Sequence, residues 1–314
     1  MRDRTTPCAV IGCCLALIAT AVVAQSLYKY RGENGEWIYA DRPPDNGKVD
    51  EVRDLGPRRT TGEVKVIHEV SGNSVLMIAR NPYYAPVELE LLVDELRGVH
   101  HPPPDHELHW VLPAQSDTSL LRLELLNNAE QPTVRFRFRY LVGDPEATHR
   151  PPEAYRVPFS IANNFPVTQA HPDRTTHGTR DSIYAVDIAM PIGTDVFAAR
   201  DGIVFDVASN NFRGGIGPDI DTGAANVVRI LHDDGTYAVY AHLNWNSIRV
   251  RPGDVVRRGD YIADSGNTGF SSGPHLHFAV VRNVGLEIES VPFVFKGANA
   301  EPVVPASGKL LTAY

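Results

Sequence analysis

Three short stretches in the C-terminal half of this sequence carry side chains suited, by type and spacing, to metal or acid–base chemistry. The strongest is Gly273-Pro274-His275-Leu276-His277-Phe278, where two histidines stand two apart in a β-like run. Alternate residues of a strand share a face, about 7 Å apart at ~3.3 Å rise per residue, so both imidazoles can enter one pocket, one on a metal and one beside its water. Paired core or surface histidines would account for this pattern as well. The second stretch is Tyr240-Ala241-His242-Leu243, ending a strand that returns from the turn at Asp233-Asp234-Gly235, with Thr236, Ala238, Tyr240 and His242 on one face. A lone histidine there is ordinarily structural or solvated and gains weight only beside the others. In the third, Tyr184-Ala185-Val186-Asp187-Ile188-Ala189-Met190-Pro191, an aspartate interrupts an apolar strand. A buried carboxylate needs a strong partner, whether an arginine, a helix N-terminus or a cation, so a buried salt bridge stays open beside a metal.

The elements expected to hold these residues are short strands with glycine turns, at 186–189, 202–207, 226–231, 237–243 and 276–281, without a long amphipathic helix. Further upstream, from about 60 to 145, the period is two. Val87, Leu89, Leu91 and Val93 alternate with Glu88 and Glu90, and Val134, Phe136, Phe138 and Tyr140 alternate with Arg135, Arg137 and Arg139. Such runs, broken at Asn81-Pro82 and Pro102-Pro103-Pro104, predict a β-sandwich of immunoglobulin-like size. His100, His101, His106 and His109 lie in this segment beside the prolines without a carboxylate or cysteine at a ligand spacing, and are expected in a solvated loop. A polar, proline-rich linker at 146–157 then marks a boundary that few contacts should cross.

At the other end, Arg2 and Arg4 precede an apolar run of 16 residues from Cys8 to Val23, with small residues Val22 and Ala24 at its close. This is the pattern of a cleaved signal peptide, since a membrane span needs ~20 apolar residues. Val10-Ile11-Gly12-Cys13 suggests lipoprotein processing as an alternative, which the continuation of the apolar run past Cys14 disfavours. Cys8, Cys13 and Cys14 all fall inside the segment, so the mature chain would have no disulfide. Cleavage removes two arginines and one aspartate and moves the formal charge from −8 to −9, which argues against nucleic acid as a partner. With 43% hydrophobic and 22% charged residues, the composition is that of a globular protein with several cores. Tyr28-Lys29-Tyr30 and Trp37-Ile38-Tyr39, flanking Gly32-Glu33-Asn34-Gly35, write a hairpin; the stretch 26–45 resembles a small module of unknown function found on proteobacterial envelope proteins, and is expected to attach or bind.

Residues 183–278 resemble the lysostaphin-type, or LytM-like, zinc metallopeptidases. The resemblance rests on the order of Asp187 with Pro191-Ile192-Gly193-Thr194, Ala199-Arg200-Asp201-Gly202, Tyr240-Ala241-His242-Leu243, Gly253-Asp254-Val255-Val256, and Gly266-Asn267-Thr268-Gly269 before the His275-Leu276-His277 run. It implies that Asp187 and His277 are zinc ligands and that His242 and His275 lie beside the metal's water and the substrate carbonyl. The family's commonest first ligand is a histidine four residues before the aspartate, where this chain has Ile183. A branch with Tyr-Ala-apolar-Asp places it further upstream; His177, ten residues before Asp187, matches, with His171, followed directly by a proline, as the fallback.

The resemblance thus implies one Zn²⁺ per chain on His177, Asp187 and His277, with a fourth position for water. His242 and His275 would be the catalytic pair in a zinc metalloendopeptidase acting on peptidoglycan cross-links in the periplasm or cell envelope, after secretion across the inner membrane and without stable membrane insertion. A non-catalytic peptidoglycan binder or activator of another hydrolase is the alternative, and an adaptor role for the N-terminal modules a third. The glycine-bearing segments 211–223 and 270–273 are expected to line a groove for an extended peptide. The expected fold is mainly β: a signal peptide at 1–24, a small hairpin module at 25–59, the sandwich-like domain at 60–145, the linker at 146–157, an antiparallel metallopeptidase domain at 158–300 and a tail at 301–314. The oligomeric state, the bond cut and the division of labour between His242 and His275 are not written in the sequence.

Overall fold

The computed structural model describes residues 25–31, 37–40, 43–44, 47–49, 51–55, 62–102, 108–126, 132–217 and 224–314. The expected signal peptide with its cysteines, and His106, lie outside the described residues. The chain divides into two compact units, Met1–Pro57 and Arg58–Tyr314. Among the described residues no helix is long and apolar enough to cross a membrane.

The first unit is a three-stranded antiparallel sheet of β1 (Gln25–Arg31), β2 (Trp37–Ala40) and β3 (Glu51–Leu55), in the order β2-β1-β3. The expected hairpin is β1 with β2, pairing Tyr28 with Ala40 and Arg31 with Trp37. The third strand, on the other edge of β1, was not foreseen; Val52 is the only apolar residue before its last.

The second unit begins with a sandwich of two three-stranded sheets. Its strands are β4 (Lys65–Ser71), β5 (Ser74–Asn81), β6 (Val87–Arg97), β7 (His109–Leu112), β8 (Ser116–Glu124) and β9 (Thr133–Val142), ordered β4-β5-β8 and β7-β6-β9. The alternation read from the sequence is what builds it. Val75, Met77, Leu89, Leu91, Leu112 and Leu123 fill one core, while Arg137 and Arg139 face outward and pair with Asp94 and Glu90 across the β6–β9 ladder.

The remainder is a larger sheet and its loops. In chain order it holds β10 (Asn164–Gln169), β11 (Val186–Ala189), β12 (Asp195–Phe197), β13 (Gly202–Ala208), β14 (Gly214–Gly215), β15 (Val227–Leu231), β16 (Tyr237–Ala241), β17 (Val255–Val256), β18 (Tyr261–Asp264), β19 (Gly269–Phe270), β20 (His275–Asn283), β21 (Ile288–Ser290), β22 (Phe295–Lys296), β23 (Pro302–Val303) and β24 (Leu310–Thr312). The main path runs β17-β13-β15-β16-β20-β11-β10-β24, antiparallel throughout. One face buries Val186, Ile188, Val204, Val228, Ile230, Tyr240, Leu276 and Phe278.

Two expectations about boundaries are corrected. The stretch 146–157 is not a connection that few contacts cross: Tyr155 and Val157 are buried in the core of the larger sheet, and Tyr155 sits edge-on to Phe278 and Phe293. The prolines of this segment do not prevent its intervening side chains from packing. Nor is 301–314 a tail, because β24 adds an edge strand to β10, and Leu311 and Ala313 are buried.

The sandwich and the larger sheet also share a buried polar joint. Glu88, 1% exposed, accepts from Asn283 Nδ2 at 2.6 Å and Leu286 N at 2.6 Å through one oxygen, and its other oxygen lies 2.6 Å from His109 Nε2. Removing such a carboxylate strands buried donors. Glu88→Ala is expected to lower unfolding stability by roughly 3 kcal/mol, read as a shift of the urea midpoint. Glu88→Gln, which keeps an acceptor, should lose less.

Candidate metal centre

The site forms where four neighbouring strands end together. Asp187 on β11 is paired with His277 on β20, Ala189 with His275, and Ala241, the last residue of β16, with His277. Strand register alone therefore brings three of the residues together, and His242 follows Ala241 directly. Alternation does the rest, since Leu276 and Phe278 point into the core while His275 and His277 take the other face.

Asp187 is the hub. Its Oδ1 accepts from His277 Nδ1 at 2.9 Å and lies 3.2 Å from His177 Nε2 and 3.7 Å from His275 Nε2. Burial pushes its carboxyl up, but the neighbouring imidazoles, His177 and His277 foremost, outweigh this and hold it well below the usual carboxylate range. Asp187 is thus ionised at neutral pH among three imidazoles.

His177 comes from the segment between β10 and β11 and is 3% exposed. Its Nε2 is a buried nitrogen without a hydrogen-bond partner, despite its nearness to Asp187. One ligand atom each from His177, Asp187 and His277 lies within 4.8 Å of the other two. An unpartnered buried imidazole nitrogen, a second imidazole and an ionised carboxylate fit a divalent metal of the zinc type, which resolves the polar atom that the protein alone leaves unsatisfied. The fallback His171 is elsewhere, with its ring 4.9 Å from that of Tyr184, and Ile183 sits in the turn region before β11.

The other two histidines are held by backbone carbonyls. His242 Nδ1 is 2.7 Å from Thr268 O and His275 Nδ1 is 2.8 Å from Gly273 O. A carbonyl only accepts, so each Nδ1 carries the hydrogen and each Nε2 keeps its lone pair. Their rings are 4.5 Å apart. Burial, followed by the neighbouring His275, pushes His242 down to about 4, so it is neutral and basic at Nε2 at pH 7. It also has φ of +59°, a left-handed conformation uncommon outside glycine, which turns the chain off β16 towards the Leu243–Ser265 bridge.

No spacing or motif pointed to the supports around this pair. Asn226, fully buried, donates Nδ2 to Asn211 O at 2.7 Å and Leu243 O at 3.2 Å, and its N–H bonds Thr268 Oγ1 at 3.0 Å. It thus ties the turn after His242 to the loop that supplies Thr268 O. An asparagine at the first position of the strand expected at 226–231 carries no mark of this role. The two glycine-bearing segments meet here as well, since β14 pairs in parallel with β19. A Cβ on Gly214 would lie 1.6 Å from Asn267 O, so the close approach requires glycine. Residues 218–223 of the first segment lie outside the described residues. A separate cleft of about 860 Å³, lined by Arg200, His232, Val255 and Val256, is at the opposite end of β16 and includes none of the site residues.

Residues 181–289 match the model of peptidase family M23, and the match spans Asp187, His242, His275 and His277. These residues are an M23 peptidase domain. His177 lies four residues before the matched span, so its place in the cluster rests on geometry. A second match, at residues 14–63, is to a domain of unknown function, DUF4124. The chain is 34% identical over 123 residues to the peptidoglycan DD-endopeptidase ShyA of Vibrio cholerae, covering 39% of this chain and 25% of that one. It is 36% identical over 101 residues to the glycyl-glycine endopeptidase ALE-1 of Staphylococcus capitis, covering 32% and 25%. Against the structure of lysostaphin from Staphylococcus simulans the identity is 29%, the coverage 38% of this chain and 43% of that one, and the TM-score 0.28. The chain thus spans about a quarter of the length of these two curated relatives.

Proposed function

We propose that this protein is a zinc-dependent endopeptidase that hydrolyses peptide bonds in peptidoglycan, acting in the periplasm or cell envelope. The observation that carries the proposal is the buried Nε2 of His177, left without a hydrogen-bond partner beside an ionised Asp187 and His277. His177, Asp187 and His277 would hold the metal. When bound, zinc supplies Lewis-acid chemistry, lowering the pKa of a coordinated water towards ~7 and polarising the scissile carbonyl.

The chain's own residues handle the protons. His242 and His275 each keep a hydrogen on Nδ1 against a backbone carbonyl and offer Nε2 as a base. One accepts the proton of the attacking water and delivers it to the leaving amine as the C–N bond breaks, and the other, protonated from solvent, stabilises the developing oxyanion. Asp187 contributes the negative charge that makes a dication welcome, and the strand pairing to His277 fixes the distance between them. Phe270, 45% exposed beside Gly214–Gly215, offers an apolar edge to an extended peptide.

The substrate class is supported by the relatives' names, one a peptidoglycan DD-endopeptidase and the other a glycyl-glycine endopeptidase. The test is digestion of purified sacculi by the full chain, with and without a chelator, and mass spectrometry of what is released. Peptide-bond fragments that vanish with the chelator and return with zinc are expected. Intact sacculi under all conditions, with protein bound to them, would favour a non-catalytic binder.

A further inference from the structure

Strand register fixes two members of the metal cluster, but not the third. Asp187 and His277 face each other across β11 and β20, whereas His177 lies in an irregular segment eight residues beyond the end of β10. Something other than a ladder must orient its ring. The last residue of β10 is Gln169, 7% exposed and paired with Asp187 across the sheet.

The backbone N–H of His177 is only a donor, so the amide oxygen of Gln169 is the atom that satisfies it. In that orientation Oε1 accepts from His177 N at 2.9 Å, His177 Nδ1 at 3.2 Å and Thr176 N at 3.1 Å, while the amide nitrogen donates to Thr176 Oγ1 at 3.0 Å. A hydrogen on His177 Nδ1 leaves the lone pair on Nε2, the atom 3.2 Å from Asp187 Oδ1. The residue after Gln169 is anchored in turn, because Ala170 N donates to Ser307 Oγ at 2.9 Å and Gly308 N to Val167 O at 2.8 Å.

We propose that Gln169 is the positioning residue of the metal site: its amide oxygen sets the tautomer and the ring orientation of His177, doing for this ligand what strand pairing does for the other two. The inference rests on His177 being a metal ligand. Outer partners of this kind commonly govern metal affinity as strongly as their small number of contacts allows, about 10- to 100-fold.

The experiment measures zinc affinity by competition with a chromophoric chelator for the wild type, His177→Ala, Gln169→Leu and Gln169→Glu. Long-range ¹H–¹⁵N spectra of the metal-free wild type report the His177 tautomer. Expected are a hydrogen on Nδ1 in the wild type, an affinity about 10- to 100-fold lower in Gln169→Leu, and near wild-type affinity in Gln169→Glu, which keeps an acceptor. Unchanged affinity in Gln169→Leu, or a hydrogen on Nε2 in the wild type, overturns the proposal while leaving the metal site standing. A wild type that binds no zinc, or a His177→Ala variant that binds as tightly, overturns the ligand assignment itself. Should Gln169→Leu fail to fold, the wild-type tautomer and the Gln169→Glu affinity decide the matter.

Discussion

His242→Ala is expected to lower turnover on a soluble cross-link peptide by about 10²- to 10⁴-fold while leaving one metal per chain, by elemental analysis, unchanged. The separation follows from geometry. His242 is not among the three residues whose ligand atoms converge, and its Nδ1 hydrogen is committed to Thr268 O, so the side chain has only Nε2 to contribute and only a proton to take. Burial and the neighbouring His275 keep the ring neutral at working pH, the state a base requires. Its strained backbone is a local cost that the surrounding Asn226 and Thr268 hydrogen bonds offset. A variant with full turnover would remove His242 from the mechanism. A variant that loses metal together with turnover would move it into the ligand set.

Asp187→Ala is expected to have the larger effect, on both readouts. It removes the anion shared by His177, His275 and His277, and metal affinity should fall by more than the ~10- to 100-fold that an outer partner is worth. Turnover should then fall to the background of the assay. Asp187→Asn is the sharper variant, because it keeps the shape and removes only the charge. If Asp187→Asn held metal like the wild type, the electrostatic account of the cluster would be wrong. Folding is checked by the unfolding midpoint, since the apo cluster without Asp187 still buries three imidazoles.

The parts of this site that follow a strand were legible in the sequence, and the parts that follow a loop or a tail were not. His275 and His277 could be placed on one face because the side-chain period of a strand is two, and Asp187 stood out because a carboxylate in an apolar run must be answered by charge. The sandwich was legible for the same reason, through the alternation of Val134, Phe136 and Phe138 with arginines. His177 could be reached only through a family resemblance, because the distance from a loop residue to a strand residue is not encoded by any periodicity. Gln169 gave no signal: a glutamine one step past Thr168 reads as a surface residue until the chain folds back and buries it against His177. The same holds for Tyr155, hidden among prolines, and for Leu311, whose burial depends on an edge that β10 leaves available.

The most direct test of the central claim is a crystal of the zinc-loaded protein measured on both sides of the zinc absorption edge. A single anomalous peak is expected within about 2.0–2.2 Å of His177 Nε2, an Asp187 carboxylate oxygen and a ring nitrogen of His277. A peak on other side chains, or a loaded protein with none at this cluster, would contradict the account.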